Sequence, residues 1–281
     1  MTEPSAAVVV SGASTGIGAA TVELLAREGY VAFAGVRTPA DAARLAAVHA
    51  NVRPIALDVG DRASIDRAVQ EIVAAGVPLR GVVSNAGIAL GGPLEHIRID
   101  EFRELFEVNV FGALALAQAA LPHLPEGRGR IVFVGSISGR LSVPYIGPYS
   151  ASKFALRALS DALRVELSPV GIAVSLIEAG SVKTPIWAKG REAKDRILAT
   201  LASTPRAHYR AAVEAVVAQT ESEERLGMPV EQVARAIVHA LTSAHPRPHY
   251  LLGVPARVGS LLALLPPAWR DRAMRAAMRL P

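Results

Sequence analysis

Short apolar runs alternate along the chain with amphipathic stretches of helical period. The runs are rich in β-branched or small residues, as is typical of strands that a parallel sheet buries on both faces. The predicted strands are Ala7–Val10, Val31–Val36, Ile55–Leu57, Gly81–Ser84, Ile131–Val134, Ala173–Ile177 and Tyr250–Leu252. The predicted helices are Ile17–Glu28, Ala40–Val48, Arg62–Ala75, Asp100–Leu121 and Tyr149–Leu167, with Asp100 as the N-cap of the fourth. The alternation predicts an α/β fold: a doubly wound parallel sheet of the Rossmann type, in three layers.

Two segments depart from this alternation. Residues 185–228 form a long, helical-looking insertion after the sixth strand, at the sheet edge where open α/β folds bind ligands. They predict a helical substrate lid, although a cap that only packs would show the same pattern. The tail, residues 256–281, combines leucines, a Pro-Pro pair and a helix with an arginine-rich face. It suits packing across a subunit interface, which we favour, or peripheral contact with a membrane surface.

The composition narrows the class of protein. A chain of 281 residues, 51% hydrophobic, can bury a full core, and we expect a single domain over 1–281. It has no cysteine, and its seven histidines lack the spacing of metal ligands, so no metal site is expected. The pI is about 9.9, but the net charge is only +5 and no lysine/arginine run occurs, which argues against nucleic-acid binding. The chain shows neither signal-peptide pattern nor bilayer-spanning run, so we expect a cytoplasmic protein.

A glycine-rich turn, Ser11 to Gly18, follows the first predicted strand and opens the first helix. Glycines let the backbone approach a pyrophosphate, and the helix N-terminus supplies free N–H groups and a favourable dipole. The position between strand and helix predicts dinucleotide binding, although glycines there also serve close packing. The predicted contacts are Gly12, Ser14, Thr15, Gly16, Ile17 and Gly18.

The end of the second predicted strand bears on the choice of cofactor. A Rossmann site that prefers NAD places an acid there for the ribose 2′-hydroxyl, whereas an arginine neutralises the 2′-phosphate of NADP. No acid stands between Val31 and Ala40, and Arg37 follows the strand directly. We therefore predict NADP(H) as the cofactor, with NAD less favoured.

Tyr149 and Lys153 stand four residues apart on a predicted helix and so share one face. A tyrosine titrates near pH ~10, and it needs a stabilised phenolate to exchange protons at neutral pH. A nearby ammonium provides that stabilisation. Ser136 ends the fifth predicted strand, whose carboxyl end faces the same crevice, and it can bond a substrate oxygen beside Tyr149. These three residues form the predicted reacting centre.

The motifs, in this order, resemble those of the short-chain dehydrogenase/reductase family from about Ala7 to Leu252. The family's glycine motif has Thr where this chain has Ser11, and its Pro-Gly after strand six is Ala179-Gly180 here. The resemblance implies a catalytic tetrad in which Asn109 supports a proton relay through Lys153. It also implies cofactor contacts at Asp58, Val59, Asn85, Ala86, Gly87, Tyr149, Lys153, Gly180, Val182 and Thr184.

The resemblance implies hydride transfer between a nicotinamide cofactor and a ketone or secondary alcohol, with Tyr149 as general acid and base. Loops near the reacting centre are apolar and predict a hydrophobic small-molecule substrate, somewhat like those of the hydroxysteroid and retinol dehydrogenase branch. The residues in question are Ile88, Leu90, Leu94, Leu141, Val143, Tyr145, Ile146, Pro185, Ile186 and Trp187. A homodimer or homotetramer is implied, formed through the helices at 100–121 and 149–167. The alternative function is a non-catalytic NADP-binding regulatory protein of the same fold, against which the intact tetrad argues.

Overall fold

The computed structural model describes residues 6–187 and 225–278, together with residues 209, 213, 214, 218 and 221. The strands are β1 (Ala7–Val10), β2 (Val31–Val36), β3 (Val52–Ala56), β4 (Leu79–Ser84), β5 (Arg130–Val134), β6 (Ala173–Ala179) and β7 (His249–Leu252). The helices are α1 (Gly16–Arg27), α2 (Pro39–Ala46), α3 (Arg62–Ala74), α4 (Ile99–Phe106), α5 (Ala113–Ala120), α6 (Gly147–Glu166), α7 (Val230–Thr242), α8 (Val254–Leu262) and α9 (Pro267–Ala277). All the predicted strands and helices are present, with their ends displaced by a few residues.

The strands form one parallel sheet in the order β3-β2-β1-β4-β5-β6-β7. Every neighbouring pair in it is parallel. The chain winds outward from β1 to β3 and then returns to place β4 on the other side of β1. Such a reversal opens a crevice beyond the carboxyl ends of the strands. The predicted doubly wound sheet is confirmed.

Helices cover both faces of the sheet and give the predicted three layers. One core lies between the sheet and α1, α2 and α7, and the other lies between the sheet and α3, α5 and α6. Each large apolar side chain buried there stabilises the fold by about 1.5–3 kcal/mol. Helix α7 was not among the predicted helices, although its buried Val233, Ile237 and Leu241 recur every four residues.

The fourth predicted helix differs from expectation in two ways. Asp100 is not its N-cap, because α4 begins at Ile99 and Arg98 occupies the cap position. The Asp100 carboxylate instead pairs with the Arg98 guanidinium, and this hydrogen bond lowers the pKa of Asp100 to about 2. The helix is also interrupted by a π-helical turn, Glu107–Gly112, between α4 and α5. Such turns often occur at functional sites, and this one carries Asn109.

Within the described residues, one helical stretch, Ile99–His123, is long and apolar enough to cross a membrane by length and composition alone. It contains α4 and α5, whose Leu105 and Leu116 are completely buried in the protein. Core helices of globular proteins commonly have such a composition.

The predicted lid and tail are described only in part. Of the lid, residues 185–228, the structure describes the 3₁₀ turn Pro185–Trp187, residues 225–228 and five single positions between them; the rest lies outside the described residues. The tail consists of α8 and α9, which are separated at the Pro266-Pro267 pair. Residues 279–281 lie outside the described part of the chain.

Candidate active site

The carboxyl ends of the strands border a cleft of about 450 Å³. Its walls are the turns that follow β1 to β6 and the first turns of α6. All the predicted site residues line it except Gly18 and Asn109. Those that line it are Gly12, Ser14, Thr15, Gly16, Ile17, Arg37, Asp58, Val59, Asn85, Ala86, Gly87, Ser136, Tyr149, Lys153, Gly180, Val182 and Thr184.

The glycine turn after β1 has a backbone suited to an anion. Gly12 and Gly16 have φ of +62° and +59°, which only glycine adopts without strain. A Cβ at Gly12 would lie 2.7 Å from the Cα of Ala86, so no side chain fits there. The Thr15 side chain makes no capping hydrogen bond to α1, which leaves the N–H groups of the first turn available for a pyrophosphate. Gly18 lies behind this surface, where a Cβ would strike the Gly12 carbonyl oxygen.

Ser11 and Asn85 brace this turn against the end of β4. Ser11 Oγ accepts hydrogen bonds from the backbone N–H groups of Asn85 and Ala86, both at 3.0 Å. Asn85 Nδ2 donates to the carbonyl oxygens of Ser11 at 2.9 Å and Gly12 at 3.0 Å. The Ser11 hydroxyl receives two of these bonds, and the threonine usual in the family would offer the same hydroxyl.

Arginines border the cleft beyond the glycine turn. Arg37 is exposed and follows β2, and among the described lining residues Asp58 is the only acid. Arg44, which was not predicted, donates from α2 to the carbonyl oxygen of Ser14 and pairs with Asp41 at 2.9 Å. The Arg44 hydrogen bond is the main cause of a lowered pKa at Asp41. Because Asp41 pairs with Arg44, the positive charge that faces the cleft here is that of Arg37, and it suits a phosphate.

The turn after β6 faces the glycine turn. A Cβ at Gly16 would lie 3.2 Å from Thr184 Cγ2, so the two turns approach closely. Val182 forms a parallel bridge with Met228, and the Lys183 N–H donates to the Met228 carbonyl at 3.1 Å. The turn that carries Val182 and Thr184 is thereby anchored to the segment preceding α7.

Tyr149, Ser136 and Lys153 meet at the cleft floor. The buried Tyr149 hydroxyl is hydrogen-bonded to the Ser136 side chain; burial raises the pKa of Tyr149 to about 12, and the Ser136 bond opposes the rise. Lys153 Nζ lies 5.6 Å from the centre of the Tyr149 ring and donates to the Val134 carbonyl at 3.0 Å. Burial lowers the pKa of Lys153 to about 8. The phenol is thus protonated at neutral pH, because burial raises its pKa more than the Ser136 hydrogen bond lowers it.

Asn109 lies directly behind this centre in the π-helical turn and is completely buried. Its Nδ2 donates to the Ile88 carbonyl at 2.9 Å and to Ser152 Oγ at 3.1 Å, and its Oδ1 accepts the Ile88 N–H at 2.8 Å. Ser152 Oγ in turn donates to the Tyr149 carbonyl at 2.7 Å. A Cβ at Gly87 would lie 3.3 Å from Asn109 Oδ1 and 3.8 Å from Lys153 Nζ. Asn109 therefore borders the same small space as the ammonium and fixes the loop that follows β4.

The remaining walls of the cleft are apolar. Ile88, Val143, Ile146, Pro185 and Ile186, all named from the sequence, line it. Leu90, Leu94, Leu141 and Tyr145 do not. Residues missed from the sequence also contribute, among them Ala89, Ile137, Pro144, Pro255 and Met278. The two last come from α8 and from the end of α9, which no local motif marks as part of the site.

An ion cluster around the buried Glu178 lies next to the cleft. Glu178, wholly buried near the end of β6, pairs with Arg140 from the loop after Ser136. His249 Nδ1 lies 2.9 Å from Glu178, and its Nε2 lies 3.0 Å from Asp161 of α6. The hydrogen bond to Glu178 is the main cause of a raised pKa at Arg140. The cluster joins β6, β7 and α6 to the loop that follows Ser136, which we call the serine loop.

Among the described residues, no group of three histidine, aspartate or glutamate side chains is arranged to hold a metal ion. The cleft brings together a phenol, a hydroxyl and an ammonium beside the glycine turn. A family model described as short chain dehydrogenase matches residues 6–195. The chain belongs to the short-chain dehydrogenase family.

Several relatives resemble this dehydrogenase over most of its length. It is 35% identical to an NADPH-dependent 3-dehydrocapnine reductase of Ornithobacterium rhinotracheale over 252 residues, which is 87% of each chain. It is 32% identical to human retinol dehydrogenase 5 over 277 residues, covering 94% of this chain and 86% of that one. A short-chain dehydrogenase structure from Streptomyces avermitilis superimposes with a TM-score of 0.80 at 28% identity, covering 99% of this chain and 97% of the other. This dehydrogenase is accordingly an oxidoreductase with the fold of that family.

Proposed function

We propose that this dehydrogenase is an NADP(H)-dependent oxidoreductase that interconverts a ketone and a secondary alcohol, with Tyr149 as general acid and base. The observation that carries the proposal is the Tyr149–Ser136 hydrogen bond at the floor of a cleft whose other end is a glycine turn. A relative named as an NADPH-dependent reductase supports the choice of reaction. The backbone amides at the start of α1, which no side chain caps, fit the cofactor's pyrophosphate, and Arg37 fits a 2′-phosphate.

Bound NADPH would supply the hydride that reduces the carbonyl carbon. The carbonyl oxygen needs a proton at the same time, and the Tyr149 hydroxyl holds one because its pKa is about 12. Ser136 shares a hydrogen bond with that hydroxyl, so a carbonyl oxygen can accept from both groups at once. The Lys153 ammonium stabilises the phenolate left behind after the proton moves. Asn109 holds the neighbouring backbone and supports proton return through Lys153. Alcohol oxidation uses the same groups in reverse.

We propose a hydrophobic substrate because the walls beside Tyr149 and Ser136 are apolar. Among the described lining residues, Lys153 and Arg37 are the only cations and Asp58 the only anion. Substrate groups beyond the carbonyl therefore meet aliphatic side chains such as Ile137 and Val143. The relative named for retinol is consistent with an apolar substrate.

We also propose a homodimer formed through α4–α5 and α6. Both helices expose an aromatic side chain, Phe111 at 55% and Phe154 at 41%. Within the stretch Ile99–His123, less than half of the 18-residue apolar window is buried in the protein. A second copy of the same surface would cover this apolar face.

The decisive experiment follows nicotinamide absorbance with NADPH and NADH against a panel of aliphatic and aromatic ketones. We expect NADPH-dependent turnover that Tyr149→Phe reduces by about 10²–10⁴-fold, while Tyr30→Phe, at a tyrosine outside the cleft, leaves it unchanged. NADPH binding without turnover across the panel would contradict the catalytic role and favour a regulatory NADP-binding protein.

A further inference from the structure

An apolar strip runs along the outer side of α8 and α9. Val254, Val258 and Leu261 fall at i, i+4 and i+7 of α8, and all three are exposed. The strip continues through Leu264, 81% exposed, to Trp269 on α9, 71% exposed. Single exposed apolar residues are ordinary, whereas five of them within sixteen residues, one a tryptophan, mark an interaction surface. We call these five residues the outer strip.

The other side of α8 is fixed to the active site. Ala256 and Gly259 are buried, and a Cβ at Gly259 would lie 3.0 Å from Ile137 Cγ1 in the serine loop. Pro255 and Met278, at the two ends of the α8–α9 segment, line the cleft. The outer strip therefore belongs to an element that also forms a wall of the cleft.

Positive charge surrounds the outer strip. Residues 254–278 carry four arginines and one acid, Asp271, and the arginines are Arg257, Arg270, Arg272 and Arg275. All but Arg270 are exposed. A second copy placed symmetrically on this surface would oppose arginines to arginines, whereas an anionic lipid surface attracts each of them. Tryptophan and arginine beside aliphatic residues are the composition of interfacial helices.

We propose that the outer strip docks this protein peripherally on an anionic lipid surface. The aliphatic side chains and Trp269 enter the boundary between headgroups and acyl chains, and the arginines meet lipid phosphates. Because Pro255 and Met278 belong to the same segment, docking brings the cleft close to the lipid. The docking itself does not depend on the function proposed above.

Sedimentation with vesicles tests the proposal on the full-length protein. We expect binding to vesicles of equal parts phosphatidylcholine and phosphatidylglycerol, and little binding to phosphatidylcholine alone. Binding falls about fivefold for each arginine replaced by glutamine and weakens as salt shortens the screening length. The double variant Leu261→Gln/Leu264→Gln loses binding, whereas the matched control Val73→Gln, an exposed apolar residue of α3, retains it. Equal binding to both kinds of vesicle would overturn the electrostatic part of the proposal.

Tryptophan emission locates the contact. The chain has two tryptophans, so Trp187→Phe leaves Trp269 as the only reporter. We expect a blue shift of its emission on anionic vesicles, absent in the Leu261→Gln/Leu264→Gln background. If no vesicle shifts the emission and the double variant instead lowers the molecular mass in solution, the strip is an interface between copies and the proposal is wrong.

Discussion

Arg140 donates two hydrogen bonds to the Glu178 carboxylate, from Nε to Oε1 at 2.7 Å and from Nη2 to Oε2 at 2.5 Å. Glu178 is wholly buried in β6, two residues before Gly180 of the cleft wall. Arg140 closes the short turn that begins at Ser136. The pair therefore connects the serine loop to the turn after β6. It also neutralises the Glu178 carboxylate, whose burial without a cation would strongly destabilise the fold.

Arg140→Met should destabilise the protein by about 3 kcal/mol, because it deprives a buried carboxylate of its closest cation. His249 still contacts Glu178, so the loss stays below that of an isolated buried charge. Urea unfolding measures the change. Arg164→Met is the matched control, since Arg164 pairs with the more exposed Asp161 at 2.9 Å and such pairs contribute less than about 1 kcal/mol. If both variants lose the same free energy of unfolding, the buried pair stabilises the fold no more than the exposed pair does.

Lys153→Met should make the cofactor-free protein more stable while abolishing turnover. Burial lowers the pKa of Lys153 from 10.5 to about 8, and a shift of that size disfavours folding at neutral pH by about 3 kcal/mol. The variant also loses the hydrogen bond to Val134, which stabilises the fold by about 1 kcal/mol. We therefore expect the free energy of unfolding to rise by about 2 kcal/mol.

The pH dependence supplies the check on Lys153. A folded pKa below the unfolded value means that the unfolded chain binds more protons between pH 8 and 10.5. Wild-type stability therefore gains from this group as pH rises through that window. The advantage of Lys153→Met should shrink over the same range in thermal unfolding. An advantage that is constant from pH 7 to 10 would show that the ammonium is not penalised by burial.

Arg37→Ala should lower kcat/KM with NADPH by about 10–100-fold, because a charge-assisted contact to phosphate contributes about 1.5–3 kcal/mol. The value with NADH should stay within about twofold, since NADH lacks the 2′-phosphate. Arg67→Ala, at an exposed arginine of α3 outside the cleft, serves as control. If kcat/KM falls equally with NADPH and NADH, Arg37 stabilises the site as a whole and does not bind the 2′-phosphate.

The sequence predicts the sheet, the two helical layers and many of the residues that line the cleft, because each of these depends on local signals. Gly12 and Gly16 indicate a turn, and the four-residue spacing of Tyr149 and Lys153 indicates a shared helix face. Arg140, Glu178 and Met278 carry no such signal, since their roles depend on which distant elements meet. The N-cap prediction at Asp100 is wrong because its neighbour Arg98 offers the carboxylate an ion pair outside the helix. The high pKa of Tyr149 likewise depends on its burial, which a spacing rule does not reveal.

Phe111→Glu should convert the proposed dimer to monomers without unfolding the chain. Phe111 is 55% exposed, so a carboxylate there costs the isolated fold little, whereas burying it in a symmetric interface would place two unpaired charges against an apolar partner surface. Sedimentation velocity should show the mass halved, and circular dichroism should show the helix content unchanged. Val73→Glu, at a similarly exposed apolar residue of α3, should leave the mass as in the wild type. If Phe111→Glu and Phe154→Glu both retain the wild-type mass, the helices α4–α5 and α6 do not form the subunit interface.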